Sequence, residues 1–115
     1  MEVRMGRYNS FYFDSECTFC GTRELRDFQA EIGVLVWDNY ELGDEIRWEL
    51  LASRPIPIGP NGERPDGHYW ATGIAHCRHC REDLIGRVLI RNNQYVGVEI
   101  PDVPDGLYDW GTLPE

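Results

Sequence analysis

The four cysteines of this chain fall into two Cys-x-x-Cys pairs, Cys17-Thr18-Phe19-Cys20 near the start and Cys77-Arg78-His79-Cys80 in the second half. Two residues between cysteines let a tight turn aim both sulfurs at one ion. Two such turns brought together supply the four thiolates of a closed tetrahedral site. Backbone N–H groups of each turn point at the sulfurs and offset their charge. The spacing therefore predicts one structural Zn2+ with Cys17, Cys20, Cys77 and Cys80 as its ligands. Four thiolates leave no open coordination position, so such a site holds a fold together and performs no reaction of its own.

Other chemistries fit these residues less well. A rubredoxin-like iron site takes the same four thiolates, and His76 or His79 could replace one of them. A thioredoxin-type dithiol wants a single Cys-x-x-Cys at a helix start in a βαβ setting, which neither pair has. Catalytic zinc is not signalled, because there is no His-Glu-x-x-His and no His-x-Glu ahead of a Pro-Cys-x-x-Cys. His68 is the one histidine away from the cysteine pairs, and general-base work needs partners that the sequence does not reveal. No catalytic residue is assigned, and the chain is expected not to be an enzyme.

Positioning these cysteines falls to a chain that reads mostly as strand. Phe11, Tyr12 and Phe13 form a short aromatic run leading to the first pair. After it, Phe28, Ala30 and Ile32 alternate with polar Asp27, Gln29 and Glu31, the period of a half-buried strand. Val34-Leu35-Val36-Trp37 follows, rich in β-formers. Tyr40 to Trp48 reads as strand, turn and strand, with the reversal at Gly43-Asp44. Four prolines and three glycines between Arg54 and Gly67 defeat helix and central strand, so residues 54–67 read as a long loop. His68 to Ala75 returns as a strand into the second pair. Leu84 to Arg91 and Gln94 to Ile100 then make the clearest hairpin, turning on Asn92-Asn93. No internal repeat is expected. The predicted class is a mainly β single domain over residues 1–115, built of antiparallel hairpins and a meander.

Gly21 directly after Cys20 suits a metal-binding turn, because a residue without Cβ takes positive φ at no steric cost. Arg81 holds that place after Cys80, which allows the second turn a different geometry. Arg78 and Arg81 are placed to soften the charge of a tetrathiolate. With its paired Cys-x-x-Cys turns the chain resembles the zinc-ribbon class, specifically its small bacterial members of unassigned role. In that class two knuckles, each at the tip of a β-hairpin, clamp one zinc ion. The resemblance covers the positions around the four cysteines and the strand-rich setting, while the long insert between knuckles departs from compact ribbons. It implies a metal site and leaves the role open.

Charge narrows the role. Twenty acidic residues against eleven basic ones give a formal charge of -9, opposite in sign to what phosphate binding asks for. All eleven basic residues are Arg, read as the imprint of a GC-rich genome. His76, Arg78, His79, Arg81, Arg87 and Arg91 make the only basic stretch, so a transcription-accessory or other nucleic-acid role is the runner-up, with an enzyme whose signature the sequence does not display as the second alternative. Asp38, Glu41, Asp44, Glu45 and Glu49 read as a solvated acidic face. No apolar run reaches the roughly 20 residues that span a bilayer, and the first ten residues lack a secretory core. Paired cysteines outside disulfides then suit a reducing bacterial cytoplasm.

Trp37, Trp48 and Trp70 are expected to pack in or beside the core. The acidic tail, residues 101–115, carries Tyr108, Trp110 and Leu113 as apolar anchors for a protein partner, and is expected to matter more for binding than for folding. The expectation is a non-enzymatic, zinc-stabilised protein-binding or assembly module, such as an adaptor, a subunit of a phage-like particle or an acidic immunity protein. The partner and the oligomeric state are left open.

Overall fold

The computed structural model describes residues 8–33, 37–47, 67–104, 106 and 109–113, and structural statements below refer to these. They hold no helix and form seven strands: β1 Asn9–Glu16, β2 Arg23–Ala30, β3 Asn39–Tyr40, β4 Tyr69–His76, β5 Asp83–Arg91, β6 Gln94–Glu99 and β7 Trp110–Thr112. All belong to one sheet, in which β3, β1, β2, β4, β5 and β6 lie in that order and β7 pairs with β4. The predicted mainly β, antiparallel-rich class is what the chain adopts, with one parallel pairing, β1 with β3.

Two hairpins make up most of it. β1 pairs with β2 from Asn9↔Ala30 to Glu16↔Arg23, and β4 pairs with β5 from Tyr69↔Ile90 to His76↔Asp83. Adding sixty to each number of the first register gives the second, so the chain contains an internal structural repeat, which corrects the expectation of none. The repeat extends to burial. Asn9, Phe11, Ser15, Cys17, Arg26, Phe28 and Ala30 are buried, and so are their counterparts Tyr69, Ala71, Ala75, Cys77, Gly86, Val88 and Ile90.

The sheet curls. Phe11 stacks on Tyr40 with centroids 4.8 Å apart, and meets the ring of Tyr95 edge-on at 5.2 Å. The Tyr95 hydroxyl donates to the Tyr12 carbonyl at 2.9 Å, tying β6 back to β1 across the core. Between those strands the chain after β3 runs beside β6. Gly43 N–H donates to the Tyr95 carbonyl, Tyr95 N–H to the Asp44 carbonyl, and Ile46 N–H to the Asn93 carbonyl. Burial of aromatic and branched side chains inside this curl is the main stabilising term, at about 25 cal/mol per Å2 of apolar surface removed from water.

Several expectations meet the structure directly. The β5–β6 hairpin turns on Asn92 and Asn93, whose φ of 51° and 60° are those of a type I′ turn. A bulge at Leu89/Ile90 shifts the register so that Ile90 faces Tyr95, which is buried, while Val96 stays exposed. The segment after β2 departs from expectation. Residues 34–36 lie outside the described residues, and Trp37 is 57% exposed with a positive φ instead of lying in a core strand. The meander proposed for Tyr40 to Trp48 is replaced by the two-residue β3, a turn, and a single bridge from Glu45 to Gln94. The acidic residues there are put to local use. The Asp44 carboxylate accepts from Glu41 N–H at 2.8 Å, and Asp38 forms an ion pair with Arg47. Trp48, Glu49 and the loop 54–67, apart from Gly67, lie outside the described residues.

The tail is corrected as well. Trp110 is half-buried against the core, β7 pairs antiparallel with β4, and Leu113 N–H donates to the His68 carbonyl at 3.1 Å. Residues 110–113 are thus part of the folded body. Proline at 101 and 104 ends β6 without preventing the chain from returning to β4. Tyr108 lies outside the described residues. No helix among the described residues is long and apolar enough to cross a membrane.

Candidate metal centre

Each cysteine pair sits at the tip of one repeated hairpin. At the first, Gly21 N–H donates to the Cys17 carbonyl at 2.8 Å and Cys17 N–H to the Thr22 carbonyl at 2.8 Å. At the second, Arg81 N–H donates to the Cys77 carbonyl at 2.7 Å and Cys77 N–H to the Glu82 carbonyl at 2.9 Å. The turns are the same, and they require the same backbone. Gly21 has φ of 78° and Arg81 has φ of 66°. Arg81 therefore does not change the second knuckle; it adopts the left-handed conformation that glycine provides in the first.

The repeated hairpins meet through a short contact between β2 and β4 at Gln29↔Ile74 and Ala30↔Gly73. A Cβ on Gly73 would stand 2.9 Å from a methyl of Val88 on the neighbouring β5, while Ala30 across the hairpin contact would lie at an ordinary 3.5 Å. Beyond that contact the knuckles converge and bring all four sulfurs within 4.8 Å of one another. Cys17 Sγ lies 3.7 Å from Cys80 Sγ, and Cys20 Sγ lies 3.7 Å from Cys77 Sγ. Tetrahedral thiolates about 2.3 Å from a zinc ion stand about 3.8 Å from each other, so the donor set fits such an ion in chemistry and in spacing. The four thiols are free, with Cys17 and Cys77 buried, Cys80 intermediate and Cys20 exposed.

The surroundings pull two of the four thiols down and push a third up. N–H bonds from Cys80 and then His79, aided by the Thr22 hydroxyl, bring the Cys77 thiol down to about 5 against burial. The Thr22 side chain and backbone likewise lower Cys20. Cys80 accepts an N–H bond from Glu82, which pulls it down, yet burial and the neighbouring thiols of Cys17, Cys77 and Cys20 push it up to about 12.

Neither histidine near the cysteines joins the cluster. His79 Nε2 lies 2.9 Å from Glu24 Oε2, and His76 Nδ1 lies 3.0 Å from Asp83 Oδ1. Glu24, on β2 of the first hairpin, also pairs with Arg78 at 3.3 Å, so its carboxylate spans from one knuckle's strand to the other knuckle's tip. Arg87 lies over the ring of Trp70, 4.9 Å from its centroid, and pairs with Glu99 at 3.3 Å. Four members of the basic stretch are thus engaged, Arg78 and His79 by Glu24, His76 by Asp83 and Arg87 by Trp70 and Glu99.

Sequence reasoning missed two residues here: Thr22, which lies against the sulfurs, and Arg26, which holds Thr22. Thr22 Oγ1 is 3.1 Å from Cys20 Sγ and 3.8 Å from Cys77 Sγ. Arg26, with a side chain only 1% exposed, donates through Nη2 to the Thr22 carbonyl at 2.7 Å and to Thr22 Oγ1 at 3.3 Å. The signal was available. Extending the alternation of Phe28, Ala30 and Ile32 two residues backward puts Arg26 on the buried face.

A groove of about 270 Å3 opens beside the first knuckle, lined by Thr18, Phe19, Leu84, Ile85, Ile100 and the turn at Pro101 to Pro104. Phe19 at its edge is 61% exposed, and Val103 in the same turn is 78% exposed. No protein-family model, no curated protein sequence and no solved structure matches this chain.

Proposed function

We propose that the chain is a protein-binding module whose two repeated hairpins are clamped by one structural Zn2+. The observation that carries the metal reading is the convergence of four sulfurs within 4.8 Å of one another from two knuckles that share their turn hydrogen bonds and a left-handed closing residue. A filled four-thiolate site offers no position to a substrate, which supports a structural ion over a catalytic one. An all-thiolate tetrahedral set suits zinc, and iron is the competing occupant. A protein partner is supported by the acidic balance of the chain, which opposes phosphate binding, and by the exposed apolar side chains of Phe19 and Val103 beside the groove.

Elemental analysis of protein purified under reducing conditions tests the metal, with one zinc per chain expected and no stoichiometric metal overturning the reading. Tagged chain and its Phe19→Ser variant, used in parallel affinity capture from the native host, test the binding role. A partner held by the wild type and lost by the folded variant supports it. Salt-sensitive retention of DNA or RNA by the purified chain in place of a protein contradicts it.

A further inference from the structure

We propose that Arg26 is a built-in counter-ion of the four-cysteine site, acting through the Thr22 hydroxyl to hold and quiet the Cys20 thiolate. This rests on the reading of the cysteines as a metal site and adds what keeps that site filled and unreactive. Four thiolates outweigh the charge of a divalent ion, and the chain already carries a formal charge of -9. Positive charge near the sulfurs is therefore at a premium. Arg78 is 78% exposed at its side chain and Arg81 is exposed, so water screens what they contribute. Arg26 is not screened in this way.

Its guanidinium is held on all sides. Nε donates to the Ser15 carbonyl at 3.2 Å, Nη2 to the Thr22 carbonyl and hydroxyl, and Nη1 to Glu24 Oε1 at 3.4 Å. Glu24 does not cancel it alone, because the same carboxylate is met from outside by Arg78 and His79. A hydroxyl that accepts from a guanidinium has its own proton to give elsewhere. The nearest sulfur is Cys20 Sγ at 3.1 Å, with Cys77 Sγ next at 3.8 Å. The direction of donation then runs from Arg26 to Thr22 to Cys20, the most exposed of the four cysteines and the one an electrophile reaches first.

The repeat shows that the fold itself does not require this arginine. Its counterpart in the second hairpin is Gly86, where an added Cβ would stand 2.7 Å from a methyl of Val98. The position is buried in both hairpins, yet it is charged only where its neighbour is Thr22, the counterpart of Glu82. Burying a guanidinium costs hydration that its partners must offset. Hydrogen bonds in the layer around metal ligands commonly carry about tenfold to a hundredfold in affinity.

The test uses the full-length zinc-loaded chain and its Arg26→Met, Thr22→Val and Thr22→Ser variants. Zinc affinity is read by competition with a chromophoric chelator. Alkylation by iodoacetamide is followed per cysteine by peptide mass. Arg26→Met is expected to weaken zinc binding about tenfold or more, and Thr22→Val to raise the alkylation rate of Cys20 selectively, with Thr22→Ser restoring wild-type behaviour. Thr22→Val leaves the backbone bonds of Arg26 in place, so it decides the matter if Arg26→Met does not fold. Unchanged Cys20 alkylation in Thr22→Val, or unchanged zinc affinity in folded Arg26→Met, overturns the proposal while leaving the metal site standing. A wild-type chain that binds no zinc overturns the metal reading itself.

Discussion

The two knuckles share one backbone and differ in the residue that closes it, so exchanging glycine and a side-chained residue there isolates a conformational cost. Arg81 holds φ of 66°, a conformation that costs an L-residue about 1–2 kcal/mol. Arg81→Gly removes that cost and gives back about 0.5–1 kcal/mol through the greater freedom of glycine in the unfolded chain. The net expectation is a gain of about 0.5–1 kcal/mol. Gly21→Ala runs the other way. A Cβ on Gly21 meets no heavy atom within 4 Å, so the loss is conformational alone, about 1 kcal/mol with no packing penalty. Thermal unfolding at fixed protein and zinc concentrations measures both, and a domain of this size shifts by about 3–5 °C per kcal/mol. Arg81→Gly should melt higher and Gly21→Ala lower. Destabilisation by Arg81→Gly would refute the reasoning, because it would mean that the guanidinium contributes more than its backbone costs.

His79→Ala should be mild beside Cys20→Ala or Cys80→Ala, since His79 bonds Glu24 outside the sulfur cluster; parallel melts of zinc-loaded variants check this, and equal damage would place an imidazole among the ligands. Removing residues 101–115 strips β7 from β4 and uncovers the side of the core under Trp110, so the melting temperature should fall by more than about 5 °C; a truncated chain that melts like the full one would show the tail to be dispensable for folding. The Glu24 carboxyl is held below its ordinary value by the His79 hydrogen bond first and by Arg78 next. Its contribution is therefore present above about pH 4.3, the unfolded value, and is lost as pH falls through the depressed folded value. The stability difference between wild type and Glu24→Gln should shrink as pH falls below about 4.3, and a difference that instead grows below that pH would contradict the pairing.

Local chemistry made part of this molecule legible before any coordinates. Cysteine spacing named the four residues that converge, Asn92-Asn93 marked the one tight hairpin, and the alternation from Asp27 to Ile32 found β2. The repeat was hidden for a packing reason. Its two halves lie side by side in one sheet and share one core, where Phe11 in the first matches Ala71 in the second and Ala30 matches Ile90. Complementary volumes fill a shared interior, and they leave only the cysteines identical in the two knuckles. Trp37 misled because indole area favours burial on average, while the chain there turns with positive φ and leaves the residue more than half exposed. β7 was missed because Pro101, Pro104 and the acidic residues describe a solvated connector. Its pairing with β4 depends on an open edge that only the folded sheet displays.

The zinc clamp is tested most directly by X-ray absorption at the zinc edge on natively purified, reduced protein. Cys17, Cys20, Cys77 and Cys80 as sole ligands give one zinc per chain with four sulfur neighbours at about 2.3 Å. A nitrogen or oxygen neighbour in that shell, or a chain that folds with its cysteines intact and no stoichiometric metal, would contradict it.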